Sequence, residues 1–149
     1  MLVKNILSGP PATADCCATI RAVARMMRDN DTGAVIILDH ERLVGIVTDR
    51  DIVTRLSSPV SQAWEQPVAS IMTPDPWTCH EDQNVADAAV IMADKQVRHL
   101  PVVNQARHVT GVLSLDDIAE NYCESTAGET LGEIVERRKN SPVNTPRRR

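Results

Sequence analysis

Ile20, Val23, Ala24 and Met27 recur at i, i+3, i+4 and i+7 with Arg21, Arg25 and Arg28 between them, which predicts a helix with one apolar stripe. Thr19 stands where an N-cap is needed, and the polar run Asp29-Asn30-Asp31-Thr32-Gly33 stops the helix. Ala34-Val35-Ile36-Ile37-Leu38 is a continuous apolar run of the kind found in a strand covered on both faces. Asp39-His40-Glu41-Arg42 turns it into a second strand, Leu43 to Thr48, and a helix carrying Ile52, Val53 and Leu56 begins at Asp49 or Arg50. Residues 2–12 form an entry segment ending at Pro10-Pro11, after which Ala12-Thr13-Ala14 runs extended. The predicted unit is helix, strand, strand, helix.

The pattern then restarts. Asn84, Val85, Ala88, Ala89 and Met92 repeat Thr19, Ile20, Val23, Ala24 and Met27 at a constant offset of 65 residues. Leu100-Pro101-Val102-Val103 takes the place of the first strand, a turn at 104–108 is longer by one residue, and Val109 to Ser114 pairs back at an offset of 66. A periodicity that survives a helix face, two strands and a loop marks a duplication. The repeats fall at 2–58 and 68–124, with a linker at 59–67 and a C-terminal helix and tail over 125–149. Within that last segment, Glu129 to Lys139 reads as a helix whose inner face is Leu131, Ile134 and Val135, while Ser141 to Arg149 lacks core residues and is expected to be disordered.

Composition narrows the class. The 149 residues are 42 % hydrophobic, yet there is no Phe and one Tyr, so the core is aliphatic and lacks the aromatic platforms on which single strands stack. A net charge of −4, relieved only by Arg147-Arg148-Arg149, argues against nucleic acid as a partner. No apolar run approaches a membrane span, and Met1-Leu2-Val3-Lys4 begins no signal peptide, so a cytoplasmic location is expected. Cys16, Cys17, Cys79 and Cys123 lack disulfide-framework or zinc-finger spacing, and reduced thiols are the default.

The stretch Gly45-Ile46-Val47-Thr48-Asp49-Arg50-Asp51-Ile52 returns as Gly111-Val112-Leu113-Ser114-Leu115-Asp116-Asp117-Ile118. A hydroxyl three residues before an aspartate at a helix start is most often a cap and nothing more. Three features point further: a glycine that lets a ligand approach the strand backbone, an aliphatic wall, and the recurrence of the whole set. A helix start with a hydroxyl suits phosphate, and a nearby aspartate suits the two hydroxyls of a ribose.

These two stretches, with Val97-Arg98-His99-Leu100-Pro101-Val102-Val103 leading into the second, closely resemble the motifs of the CBS-domain family, over about residues 2–122. The resemblance implies an α/β (α+β) fold of two βαββα repeats packed about a pseudo-twofold, usually paired into a homodimer. It also implies a non-enzymatic regulatory module that needs no cofactor, binds AMP, ADP, ATP, S-adenosylmethionine or NAD in clefts between repeats, and modulates a partner protein. Carried over by position, Asp51 and Asp117 are ribose ligands, Thr48 and Ser114 are phosphate-side hydroxyls, and Ile46 and Val112 lie near the base. Ala12, Thr32 and Gly33 are expected at the Asp117 cleft, and Trp77, Thr78, Val97 and Arg98 at the Asp51 cleft, with Arg98 and His99 as phosphate-binding groups. The copies differ in the residue before the aspartate, Arg50 against Asp116. A unit charge ~5 Å from a phosphate at an effective dielectric of about 20 is worth roughly 3 kcal/mol, so the Asp51 site should prefer the more phosphorylated ligand.

Other chemistry is less well supported. Cys16, Cys17, Cys79 and His80 are soft-metal ligand types, and a zinc-holding or purely structural dimerisation module is the alternative reading. Adjacent cysteines rarely ligate one ion, and small buried residues are the commoner explanation. Trp77 suits either an adenine face or a plug at the start of the second copy. His40 and His108 fall in turns and should be solvated. No nucleophile–base spacing and no P-loop is present, which leaves catalysis without a candidate residue.

Overall fold

A computed structural model describes residues 1–56 and 61–140. Residues 57–60, the end of the first expected repeat and the start of the expected linker, and the expected disordered tail, 141–149, lie outside the described residues. The chain divides into two compact units, Pro11–Pro76 and Met1–Pro10 with Trp77–Arg149.

In the Pro11–Pro76 unit, β1 (Thr13–Asp15) lies parallel to β2 (Ala34–Asp39), which pairs antiparallel with β3 (Arg42–Thr48); β4 (Thr73–Pro74) closes the edge against β3. Helix α1 (Ile20–Asp29) starts where the sequence predicts, with Thr19 Oγ1 accepting from the Ala22 N–H at 3.1 Å. Ile20, Val23 and Met27 pack with Val35, Ile37 and Val47 into one core, and α2 (Asp49–Arg55) adds Ile52. Val68 and Ile71 complete it.

The other unit repeats this plan. β5 (Cys79–His80) is parallel to β6 (His99–Val103), which pairs antiparallel with β7 (Val109–Ser114). Helix α3 (Val85–Lys95) buries Val85, Ala88, Ala89 and Met92, the stripe read from the sequence. Asn84 occupies its N-cap position, but its side chain makes no capping hydrogen bond, contrary to expectation. Helix α4 (Leu115–Asn121) follows the strand pair.

The last helix, α5 (Glu124–Lys139), begins five residues earlier than the sequence suggests. Ala127, Thr130 and Ile134 form its buried face, whereas Leu131 and Val135 are 39 % and 38 % exposed, so two of the three predicted inner residues point outward. Arg137 Nη1 fastens the helix to α3, donating to the carbonyl and carboxylate of Asp94 at 3.1 Å each.

The units exchange segments relative to the order of the repeats. Val3 and Ile6 of the entry segment are buried in the core of the second copy, and Val68 and Ile71, 65 residues later, are buried in the core of the first. Each pair spans a 3₁₀ turn, Val3–Asn5 or Val68–Ser70, the valine opening it and the isoleucine following it.

Candidate functional site

Both Thr/Ser-x-x-Asp stretches form complete capping boxes. Asp51 Oδ2 accepts from the Thr48 N–H at 2.8 Å and the Thr48 hydroxyl at 3.0 Å, while the Asp51 N–H donates to Thr48 Oγ1 at 3.2 Å. In the second copy Asp117 Oδ2 accepts from the Ser114 N–H and hydroxyl at 2.8 Å each, and its N–H donates to Ser114 Oγ at 3.1 Å. Asp51 is 0 % and Asp117 8 % exposed, an arrangement tolerated because the charged groups accept several hydrogen bonds.

The box uses only one oxygen of each carboxylate, and the other is held differently in the two copies. Asp51 Oδ1 lies 3.5 Å from Arg55 Nε, one turn along α2, and Arg55 Nη1 also donates to the Ile71 carbonyl at 3.2 Å. Asp117 Oδ1 accepts a hydrogen bond from the Ser8 hydroxyl. Neither Arg55 nor Ser8 was among the residues picked out from the sequence. The i, i+4 spacing of Asp51 and Arg55 on a predicted helix was a usable signal, but nothing in the sequence near Ser8 points 109 residues ahead.

The hydroxyls expected at a phosphate already donate to the aspartates, and α2 and α4 span only seven residues each. Arg50 and Arg98 are both exposed, and their side chains make no hydrogen bond or ion pair among the described residues. The motif glycines also differ from expectation. A Cβ on Gly45 would collide with Met72 Sδ, and one on Gly111 would lie 2.7 Å from Leu7 Cδ1, so the close approach to each strand is made by a side chain of the same unit.

Ile46, 3 % exposed, pairs with Ile36 and Thr73, and half-buried Val112 pairs with Pro101. Ala12, Thr32 and Gly33 lie in the Asp51 unit: the Ala12 carbonyl accepts from Ile36 N–H at 2.9 Å, the Gly33 carbonyl from Asp49 N–H at 3.0 Å, and Thr32 Oγ1 donates to the Ala34 carbonyl at 3.2 Å. Trp77, Thr78, Val97, Arg98 and His99 lie in the Asp117 unit. Val97 is 4 % exposed and committed to the core, the Arg98 carbonyl accepts from Leu115 N–H at 3.1 Å, and His99 pairs with Ser114 across β6 and β7. Lys95 Nζ sits 4.3 Å from the centre of the Trp77 ring and covers one of its faces.

The thiols separate into distinct environments. Cys79 is 3 % exposed and burial pushes its thiol up to about 12; His80 Nδ1 accepts from the Asp82 N–H at 3.2 Å. Cys17 is exposed rather than buried as expected, and with Asp15 and Cys16 it brings three ligand atoms within 4.8 Å of one another. The Cys17 N–H, donating to Asp15 Oδ1 at 2.8 Å, lowers the Asp15 carboxyl, whereas burial raises the Cys16 thiol. Cys123 is brought down to about 7, chiefly by the Ser125 hydroxyl at 3.1 Å. No helix of the described residues is long and apolar enough to cross a membrane.

Two βαββα units, each ending in a buried Gly-aliphatic-aliphatic-Thr/Ser-x-x-Asp box, define a tandem CBS module, and the chain belongs to the CBS-domain family. The family's CBS-domain model matches residues 3–58 and 68–124. A CBS domain-containing protein of Bacillus subtilis, YhcV, is 30 % identical over 133 residues, covering 89 % of this chain and 94 % of its own. L-aspartate semialdehyde sulfurtransferase of Methanocaldococcus jannaschii is 34 % identical over 122 residues, but only 23 % of that protein is spanned. Among solved structures, the CBS domain pair of protein MJ0100 in complex with 5′-methylthioadenosine and S-adenosyl-L-methionine has a TM-score of 0.72 at 34 % identity, covering 80 % of this chain and 97 % of that one. PAE2072 from Pyrobaculum aerophilum, complexed with AMP, has a TM-score of 0.76 at 27 % identity, covering 87 % and 99 %.

Proposed function

We propose that the protein is a regulatory sensor of an adenosine-containing ligand, with Asp51 and Asp117 as the ribose-binding groups of its two copies. The observation that carries this reading is the pair of buried carboxylates, each with Oδ2 bound into its capping box and Oδ1 on the other side of the same group. A cap alone needs one oxygen; the second is suited to a hydroxyl donor, at roughly 1.5–3 kcal/mol for a hydrogen bond to a charged acceptor. Relatives of the same fold hold AMP or S-adenosylmethionine, which supports the adenosine class. Arg50, exposed beside Asp51, favours a phosphorylated ligand in the first copy, where the second has Asp116. The chain acts as a homodimer whose packing, altered by the ligand, is read by a partner protein.

A metal-holding module is the second reading, favoured by the convergence of Asp15, Cys16 and Cys17. One thermal-unfolding series separates the two, with AMP, ADP, ATP, NAD, S-adenosylmethionine and zinc added to wild type, Asp51→Ala and Asp117→Ala. A ligand at a hundred times its Kd adds about 2.7 kcal/mol, or roughly 5–10 °C. A shift with an adenosine ligand, lost on an aspartate substitution, supports the sensor; a shift with zinc alone replaces it.

A further inference from the structure

The two carboxylates are closed by segments that correspond at the offset of 65 but are secured unequally. In the first copy the segment Met72-Thr73-Pro74 enters β4, where Thr73 and Pro74 pair with Ile46 and Gly45 of β3. In the second copy the equivalent stretch is Leu7-Ser8-Gly9, which joins no strand, and that sheet has three strands where the other has four. Leu7, Ser8 and Gly9 donate no backbone hydrogen bond among the described residues. What fixes them is the half-buried Leu7 over Gly111 and the Ser8 hydroxyl on Asp117 Oδ1. Ser8 itself is exposed, and Gly9 follows at φ 95°, with nothing within 4 Å of the place a Cβ would take. Thr73, by contrast, is 1 % exposed and its hydroxyl has no hydrogen-bond partner among the described residues.

We infer that Ser8 is a built-in competitor for the ligand of the second copy. Its hydroxyl occupies, on Asp117 Oδ1, the position a ribose hydroxyl needs, and a ligand enters by displacing it. The inference rests on the ribose reading of Asp117 given above. Ser8 is then a specificity-determining residue: only a ligand whose hydroxyls bind the carboxylate better than Ser8 does will occupy this copy. The displaced stretch swings about Gly9, so occupancy of Asp117 is reported by the chain between Leu7 and Pro10. In the first copy, by contrast, Thr73 is held in a strand and Asp51 Oδ1 faces Arg55.

The test uses the full chain carrying Asp51→Ala, so that only the second copy reads, and titrates it with AMP and with S-adenosylmethionine. Adding Ser8→Ala should tighten binding about tenfold, equivalent to ~1.4 kcal/mol, and adding Asp117→Ala should abolish it. With Ser8 present, saturation should lower the heteronuclear ¹⁵N NOE of the Ser8 and Gly9 amides, a response that a purely structural hydrogen bond does not give. Binding that needs Asp117 but is unchanged or weakened by Ser8→Ala overturns the competitor and leaves the ribose reading standing. If neither ligand binds with or without Ser8, both fall.

Discussion

Gly111 is the most direct probe of how the entry segment sits on the second copy. A Cβ at Gly111 would lie 2.7 Å from Leu7 Cδ1 and 3.4 Å from Cγ and Cδ2. Carbon atoms in contact prefer ~3.5–4.0 Å, so Gly111→Ala forces Leu7 outward by about an ångström. Overpacking of this kind costs roughly 1–3 kcal/mol. Gly9 is the only glycine in the left-handed region among the described residues, so the backbone at Gly111 suits alanine, and the stiffer unfolded chain returns about 0.4–1 kcal/mol. The net expectation is a loss of roughly 0–2.6 kcal/mol, small if the end of the Leu7 side chain can rotate away. Leu7→Ala alone, at a half-buried site, should cost ~1–2 kcal/mol. The double variant fills the space vacated by Leu7 and should be more stable than the sum of the single losses by about 1 kcal/mol, read as a coupling energy from urea denaturation. Additive losses in the double variant would refute the packing of Leu7 on the motif strand and with it the route by which Ser8 reaches Asp117.

Thr48→Ala and Ser114→Ala each remove one capping box, and each should lower stability by ~0.5–2 kcal/mol in the same denaturation assay, while Thr48→Ser should cost less than half as much. Ile134→Ala empties a fully buried position and should cost roughly 2–5 kcal/mol, whereas Leu131→Ala, at 39 % exposure, should stay within about 1 kcal/mol; equal effects would contradict the observed inner face of α5. Cys123, whose thiol titrates near 7, should be alkylated by iodoacetamide at pH 8 well before buried Cys79, at about 12. Its pH–rate profile should bend near neutrality and move upward in Ser125→Ala, and a profile unmoved by that change would show that the hydroxyl does not set it.

Local periodicity made α1, α3 and both strand pairs legible, because each element's own residues decide which face is buried. The duplication carried the capping boxes as well, since Thr48 to Asp51 and Ser114 to Asp117 are contacts within one turn of helix. What escaped is long-range. The burial of Val3 and Ile6 in the second copy depends on where the chain goes after Pro11, although their match to Val68 and Ile71 at the offset of 65 was already present in the sequence. Ser8 on Asp117, and Leu7 and Met72 over the motif glycines, follow from that exchange, whereas Arg55 beside Asp51 is a local i, i+4 pair within α2. On α5, Leu131 and Val135 looked like core by residue type. Packing instead chose the small Ala127 and Thr130 with Ile134, because α5 lies against both α3 and α4.

The central claim is that Asp51 and Asp117 recognise a ribose. Titration calorimetry with AMP and with 2′,3′-dideoxy-AMP tests it most directly, since the two ligands differ only in the hydroxyls the carboxylates are held to bind. At roughly 1.5–3 kcal/mol for each hydrogen bond to a charged acceptor, loss of one such bond corresponds to about 10- to 100-fold in Kd. AMP should bind the wild type, the dideoxy analogue should bind at least tenfold more weakly, and the Asp51→Ala/Asp117→Ala protein should no longer distinguish them. Equal affinity of the wild type for both ligands would contradict the account and leave the two aspartates as helix caps.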